Sequence, residues 1–133
     1  MIFAVLPQRV ADDAGDGAFG ASRGDRKHNG IDYSCATGTG ILAPCDGQVT
    51  KLGYPYADAL EYRYVQITDA NGLNHRVFYI SPTVELNQWM VEGTSSIGTA
   101  QDIAAKYPAR GMANHIHYEI RESDGTYIDP ATV

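Results

Sequence analysis

Four histidines occur in this chain, and two of them stand one residue apart in NHIHYEI, residues 114–120. On an extended strand alternate side chains share a face, so His115 and His117 point the same way. Two imidazoles on one face can hold one metal ion, or divide metal binding from proton transfer. The competing reading is a pair of surface histidines on a solvated face. A second stretch, HNGIDY at 28–33, sets His28 four residues before Asp32. That even spacing also puts both side chains on one side of an extended chain. Asp32 capping a turn, with His28 at the surface, would explain the pair without chemistry. Taken together, one His and one Asp from an early strand and one His from a late strand make three ligands for zinc. Three protein ligands with an open fourth position is the pattern of a catalytic zinc site rather than a closed structural one. The remaining histidine would be free to move a proton.

The elements that must position these residues read as short strands. IFAVL at 2–6 can form a first strand stopped by Pro7, and 11–30, rich in Asp, Gly, Ala and Ser, reads as irregular. IDYSC at 31–35 is a strand, ATGTG at 36–40 a turn, and ILAPCDGQVTKLG at 41–53 two strand pieces broken at Pro44 and Asp46-Gly47. In YRYVQIT at 62–68, Arg63, Val65 and Ile67 take one face and Tyr62, Tyr64, Gln66 and Thr68 the other. Asn71-Gly72 then marks a tight turn, and HRVFYIS at 75–81 reads as the return strand of a hairpin. VEGTSSIG at 91–98 is a turn and a short strand, and QDIAAKY at 101–107 is a helix of about two turns ended by Pro108. Residues 115–121 and 126–129 flank Asp124-Gly125 as a last hairpin. The expected fold is mainly β, a single antiparallel β-sheet domain over 1–133 with one short helix.

Composition bounds the function. The 133 residues suit one domain with a modest core, and the net charge of −6 with no basic stripe argues against nucleic acid as a partner. No apolar run approaches a membrane span. The N-terminus MIFAVLPQRV lacks the basic flank of a signal peptide. The expectation is a mature chain, or one that reaches its target as part of a phage particle or lysis cassette. Cys35 and Cys45 are too few for a disulfide scaffold and lack zinc-ribbon spacing. They are read as free thiols or as one local disulfide.

HxxxD at 28–32 followed by HxH at 115–117 resembles the lysostaphin-type zinc endopeptidases, which cut peptide cross-links of bacterial cell walls. Other runs are similar to family segments in the same order: Phe19-Gly20 with Arg23, ILAPCDGQV at 41–49, VEGTSSIGT at 91–99 and HIHYEIRESDGTYIDP at 115–130. The resemblance implies that His28, Asp32 and His117 bind zinc and that His115 is a catalytic histidine. It implies zinc activation of water, attack on a peptide carbonyl of peptidoglycan and protonation of the leaving amine, at an extracytoplasmic site in the cell wall or periplasm.

One residue departs from the family pattern. Active members carry a further histidine in a Y-x-H-L run, and the aligned run FYIS has Tyr79 there. His75 shares a strand face with Tyr79 but lies about 13 Å away, too far to substitute. FYISP and AKYPARGMANHIHYEI look like the leukocyte cell-derived chemotaxin, a relative in which a tyrosine also replaces the histidine and which acts as a ligand rather than a peptidase. A tyrosine hydroxyl, protonated at neutral pH, can still donate to an oxyanion, which makes Tyr79 a second catalytic candidate. The alternative is a zinc-containing binding module without peptidase activity. Tyr54, Tyr56, Tyr62, Tyr64 and Trp89 are read as cross-strand packing or as a groove for an extended peptide. Arg23 is expected to pair with an acidic residue, Glu119 to be a solvated or ion-paired carboxylate, and Gly30 to permit close backbone approach near the metal.

Overall fold

The computed structural model of the protein describes residues 29–106 and 113–130. His28, the 2–6 strand, the irregular run up to residue 28, Phe19-Gly20, Arg23 and Pro108 lie outside the described residues. Among the described residues ten strands follow in chain order: β1 Ile31–Ser34, β2 Gly40–Leu42, β3 Gly47–Gly53, β4 Tyr64–Thr68, β5 Asn74–Phe78, β6 Ile80–Pro82, β7 Trp89–Met90, β8 Ser96–Ala100, β9 His115–Arg121 and β10 Tyr127–Ile128. All pairings are antiparallel. The mainly β, antiparallel architecture agrees with the sequence, but the strands divide between two sheets. A seven-stranded sheet runs β1-β9-β5-β4-β3-β7, with β10 continuing the β1 edge of β9, and a three-stranded sheet runs β2-β8-β6.

Period-two alternation in the sequence becomes two faces of the large sheet. On one face Ile31, Val49, Val65, Ile67, Val77, Ile116, Tyr118 and Ile120 are buried and join Ile41, Ile80 and Ile97 of the small sheet in one core. The register carries the opposite face in rows: Tyr64 faces Phe78, Phe78 faces His117, and His117 faces Asp32. The next row is Gln66, Arg76 and Glu119. A one-residue slip would exchange the core for this polar face, so burial of the aliphatic rows fixes the site residues in place.

The expected return strand 75–81 is broken in the structure. β5 ends at Phe78, Tyr79 adopts φ +70°, and the chain leaves the large sheet to enter β6 of the small one. The Tyr79 amide donates to the Arg63 carbonyl at 2.8 Å, and its carbonyl accepts from the Gln101 amide at 2.8 Å. Those bonds offset a conformation that costs about 1–3 kcal/mol for a non-glycine residue.

The helix expected over 101–107 is, among the described residues, a single 3-10 turn at Ala104–Lys106. Two helical turns are below the length at which propensity alone sustains an α-helix, and tertiary contacts take the segment instead. Ile103 packs with Ala59 and Tyr62, the Tyr62 hydroxyl donates to the Asp102 carbonyl at 2.9 Å, and the Ala104 amide donates to Asn114 Oδ1 at 3.1 Å.

Candidate metal centre

β1 and β9 lie side by side with Asp32 opposite His117 and Ser34 opposite His115. Asp32, His115 and Glu119 are 3%, 4% and 5% exposed, so the polar groups meet in a largely water-excluded spot. His117 Nδ1–H donates to Asp32 Oδ1 at 2.8 Å, and its Nε2–H donates to Glu119 Oε1 at 3.0 Å. Both partners are carboxylates and accept only, so the ring in this form carries a proton on each nitrogen. Burial works against that charge, but the hydrogen bonds and charges of Asp32 and Glu119 outweigh it and raise the His117 pKa to about 9. Glu119 is held in turn by Arg121, whose Nε donates to Oε2 at 3.0 Å. Burial disfavours the Glu119 carboxylate, yet His117 and Arg121 bring its pKa below the ordinary value.

His115 differs from its neighbour. Its Nδ1–H donates to the Ala113 carbonyl at 2.8 Å, so whenever the ring is neutral the lone pair is on Nε2. That Nε2 stands 3.6 Å from Asp32 Oδ2. The ring of Tyr79 meets His115 edge to face, with centroids 5.6 Å apart and planes at 86°. On an unbroken strand Tyr79 would fall on the core face with Val77 and His75, because its even-numbered neighbour Phe78 shares the face of His117. The positive φ turns the side chain back toward His115. The expectation that His75 and Tyr79 share a face is therefore overturned: His75 lies on the core side, bonded to the Tyr118 hydroxyl at 2.7 Å and to Asp69 at 2.8 Å.

Around Tyr79, Tyr56 stacks at 6.2 Å with nearly parallel planes, and the two hydroxyls are 3.3 Å apart. Tyr62 meets Tyr56 edge-on at 6.0 Å, and Lys106 Nζ sits 4.5 Å over the Tyr56 ring. The aromatics named from the sequence thus separate. Tyr56 and Tyr62 border the site, and Tyr64 packs on Phe78 at 4.7 Å. Tyr54 is exposed beneath the Arg63 guanidinium, and Trp89 is exposed on β7, the far edge of the sheet. Cys35 and Cys45 are free thiols, and burial pushes Cys45 up to about 12.

The donor set suits a hard-to-borderline divalent cation: a carboxylate oxygen and an imidazole nitrogen are already adjacent. Gly30 contributes by its lack of a side chain. A Cβ there would stand 2.3 Å from the Tyr118 carbonyl oxygen and 2.9 Å from His117 Cε1. The backbone entering β1 therefore runs directly over the His117 ring. Among the described residues no three His, Cys, Asp or Glu side chains are arranged to hold one metal ion. His28, the third residue of the expected set, lies outside them.

Glu119, expected as a solvated or ion-paired carboxylate, is ion-paired with His117 and Arg121 and is buried. The run His115, His117, Glu119, Arg121 continues one period-two face to the end of β9, and that periodicity was the available signal.

Comparison with known proteins agrees with this architecture. The model of "Peptidase family M23" matches residues 26–130. Leukocyte cell-derived chemotaxin-2 of Mus musculus is 28% identical over 111 residues, 84% of this chain and 71% of that protein. An uncharacterised metalloprotease of Haemophilus influenzae is 30% identical over 109 residues, 81% of this chain but 21% of that much longer protein. The catalytic domain of the antimicrobial peptidase lysostaphin from Staphylococcus simulans superposes with a TM-score of 0.67 at 16% identity, covering 96% of this chain and 91% of that one. With the family pattern matched across most of its length, the chain belongs to peptidase family M23.

Proposed function

We propose that this chain is a zinc-dependent endopeptidase that cleaves peptide cross-links of bacterial peptidoglycan, with 1–133 as one domain. His28, Asp32 and His117 hold the metal, His115 moves the proton and Tyr79 stabilises developing charge. The observation that carries the reading is the convergence of Asp32, His115 and His117 on one buried spot, with the Tyr79 ring turned back onto it. When bound, zinc supplies Lewis acidity toward the scissile carbonyl and the attacking water.

The chain's own residues then have separate tasks. Asp32 and His117 present oxygen and nitrogen from adjacent strands, so sheet register fixes their spacing. His115 is committed to Nδ1–H by the Ala113 carbonyl, so Nε2 can take a proton from the attacking water and return it to the leaving amine. The Tyr79 hydroxyl, oriented by its contact with Tyr56, donates to the oxyanion. Peptidoglycan lies outside the cytoplasmic membrane, so the chain acts in the cell wall or periplasm. A phage virion or lysis cassette would bring it there. Among the described residues no helix is long and apolar enough to cross a membrane.

The test is incubation of the zinc-loaded protein with purified peptidoglycan and mass analysis of released peptides. Chelator-sensitive release is expected. The tyrosine at position 79 specifically favours a second reading, a zinc-containing module that binds cell-wall peptides or a protein partner without cutting. Sedimentation with peptidoglycan in the absence of any released peptide would establish that reading over the first.

A further inference from the structure

We propose that Glu119 is a positioning residue for the metal: by accepting Nε2–H of His117 it commits Nδ1 of that ring to the cation. The inference rests on the reading of Asp32 and His117 as metal ligands, but not on peptidase activity. Three observations lead to it. Nε2 of His117 is 3.0 Å from Glu119 Oε1, while Nδ1 is the nitrogen that faces Asp32 Oδ1 at 2.8 Å. Glu119 is itself fixed, because its second oxygen accepts from Arg121 Nε at 3.0 Å, and it is buried. Arg121 is steadied over the Tyr127 ring at 4.7 Å, which ties the relay to the β9–β10 hairpin.

Without Glu119, either imidazole nitrogen could carry the proton, and the ring could rotate away from Asp32. With it, the ring plane is set before the metal arrives, and Nε2 keeps its proton when a cation displaces the one on Nδ1. A carboxylate partner also makes the opposite nitrogen a stronger donor to a cation. Glutamine replaces it only in part. Its amide offers one acceptor oxygen, whereas His117 and Arg121 both present N–H groups.

The test titrates zinc alone into the full chain against a chelator of known affinity, for the wild type, Glu119→Gln and Glu119→Ala. Imidazole nitrogen chemical shifts of His117 are read in the zinc-loaded wild type and in Glu119→Gln. We expect metal on Nδ1 and a proton on Nε2 in the wild type. Affinity should fall roughly 10–100-fold in Glu119→Ala, with a smaller loss in Glu119→Gln. Should the alanine variant fail to fold by thermal unfolding, the near-isosteric glutamine variant decides. Unchanged affinity in Glu119→Gln together with an unchanged His117 spectrum overturns the proposal, as does ligation through Nε2. A wild type that takes up no zinc overturns it together with the metal reading. Zinc uptake without peptidoglycan cleavage overturns only the peptidase reading and leaves Glu119 in its role.

Discussion

Two histidines lie on opposite faces of the same sheet, His75 buried and His117 half-buried, and each has both ring nitrogens engaged. His117 stands between the carboxylates of Asp32 and Glu119. His75 stands between the carboxylate of Asp69 and the hydroxyl of Tyr118. The partners differ by one group, and the consequence is large. A hydroxyl can donate, so a neutral His75 with Nε2–H satisfies everything around it: Tyr118 O–H donates to Nδ1, and Nε2–H donates to Asp69. Two carboxylates can only accept, so the His117 position demands positive charge between them. A proton meets the demand in one form of the protein, and a metal ion can meet it in another. One face thus uses histidine to close a polar gap in the core, and the other uses it to keep a cationic place open.

That contrast predicts effects on activity without loss of fold on one face, and loss of stability without loss of chemistry on the other. The largest effect belongs to His115. His115→Ala should retain zinc by metal analysis yet lower peptidoglycan cleavage by roughly 10²–10⁴; loss of the metal would instead make His115 a ligand. Tyr79→Phe should keep fold and zinc but reduce the cleavage rate by roughly 10²–10³, the cost of one oxyanion donor. Unaltered turnover would reject that role. Across the sheet, His75→Leu should destabilise by about 1–3 kcal/mol, because it removes the hydrogen bonds that the buried imidazole makes with the Tyr118 hydroxyl and with Asp69 Oδ2. Denaturant unfolding reads the loss, and zinc content per folded molecule should not change.

The smallest effect is a pH dependence at Asp69. Burial opposes ionisation there, but His75 and the Leu73 and Asn71 amides hold its pKa below the ordinary value. A depressed folded-state value contributes stability above the usual carboxylate range, lost as pH falls through the folded value. Asp69→Asn should therefore be less stable near neutral pH, with a shallower decline into acid in urea midpoints.

Much of the fold was legible because burial enforces period two. The hairpin of β4 and β5, the β1 strand and the β9–β10 hairpin all follow alternating apolar residues and Gly-containing turns. The meeting of Asp32 with the HxH pair was legible in part, since even spacing fixes a face but not which strands become neighbours. What stayed hidden depends on contacts distant in sequence. Nothing in FYIS signals a left-handed residue, because the bonds that hold Tyr79 come from Arg63 and Gln101. The second sheet depends on that same break. The 101–107 segment has helical composition, but Tyr62 and Asn114 claim its backbone groups.

The left-handed turn at Tyr79 also bears on how such a site can change over generations. Among residues other than glycine, histidine is one of the few enriched in that backbone region. The main chain at position 79 would accept either ring, and both would project toward His115. Tyrosine and histidine codons differ by a single base. Two chemistries, a neutral hydroxyl donor and a titrating imidazole, are therefore neighbouring states of one unaltered backbone. A lineage can pass between them in one mutational step, with no intermediate that must sacrifice the fold.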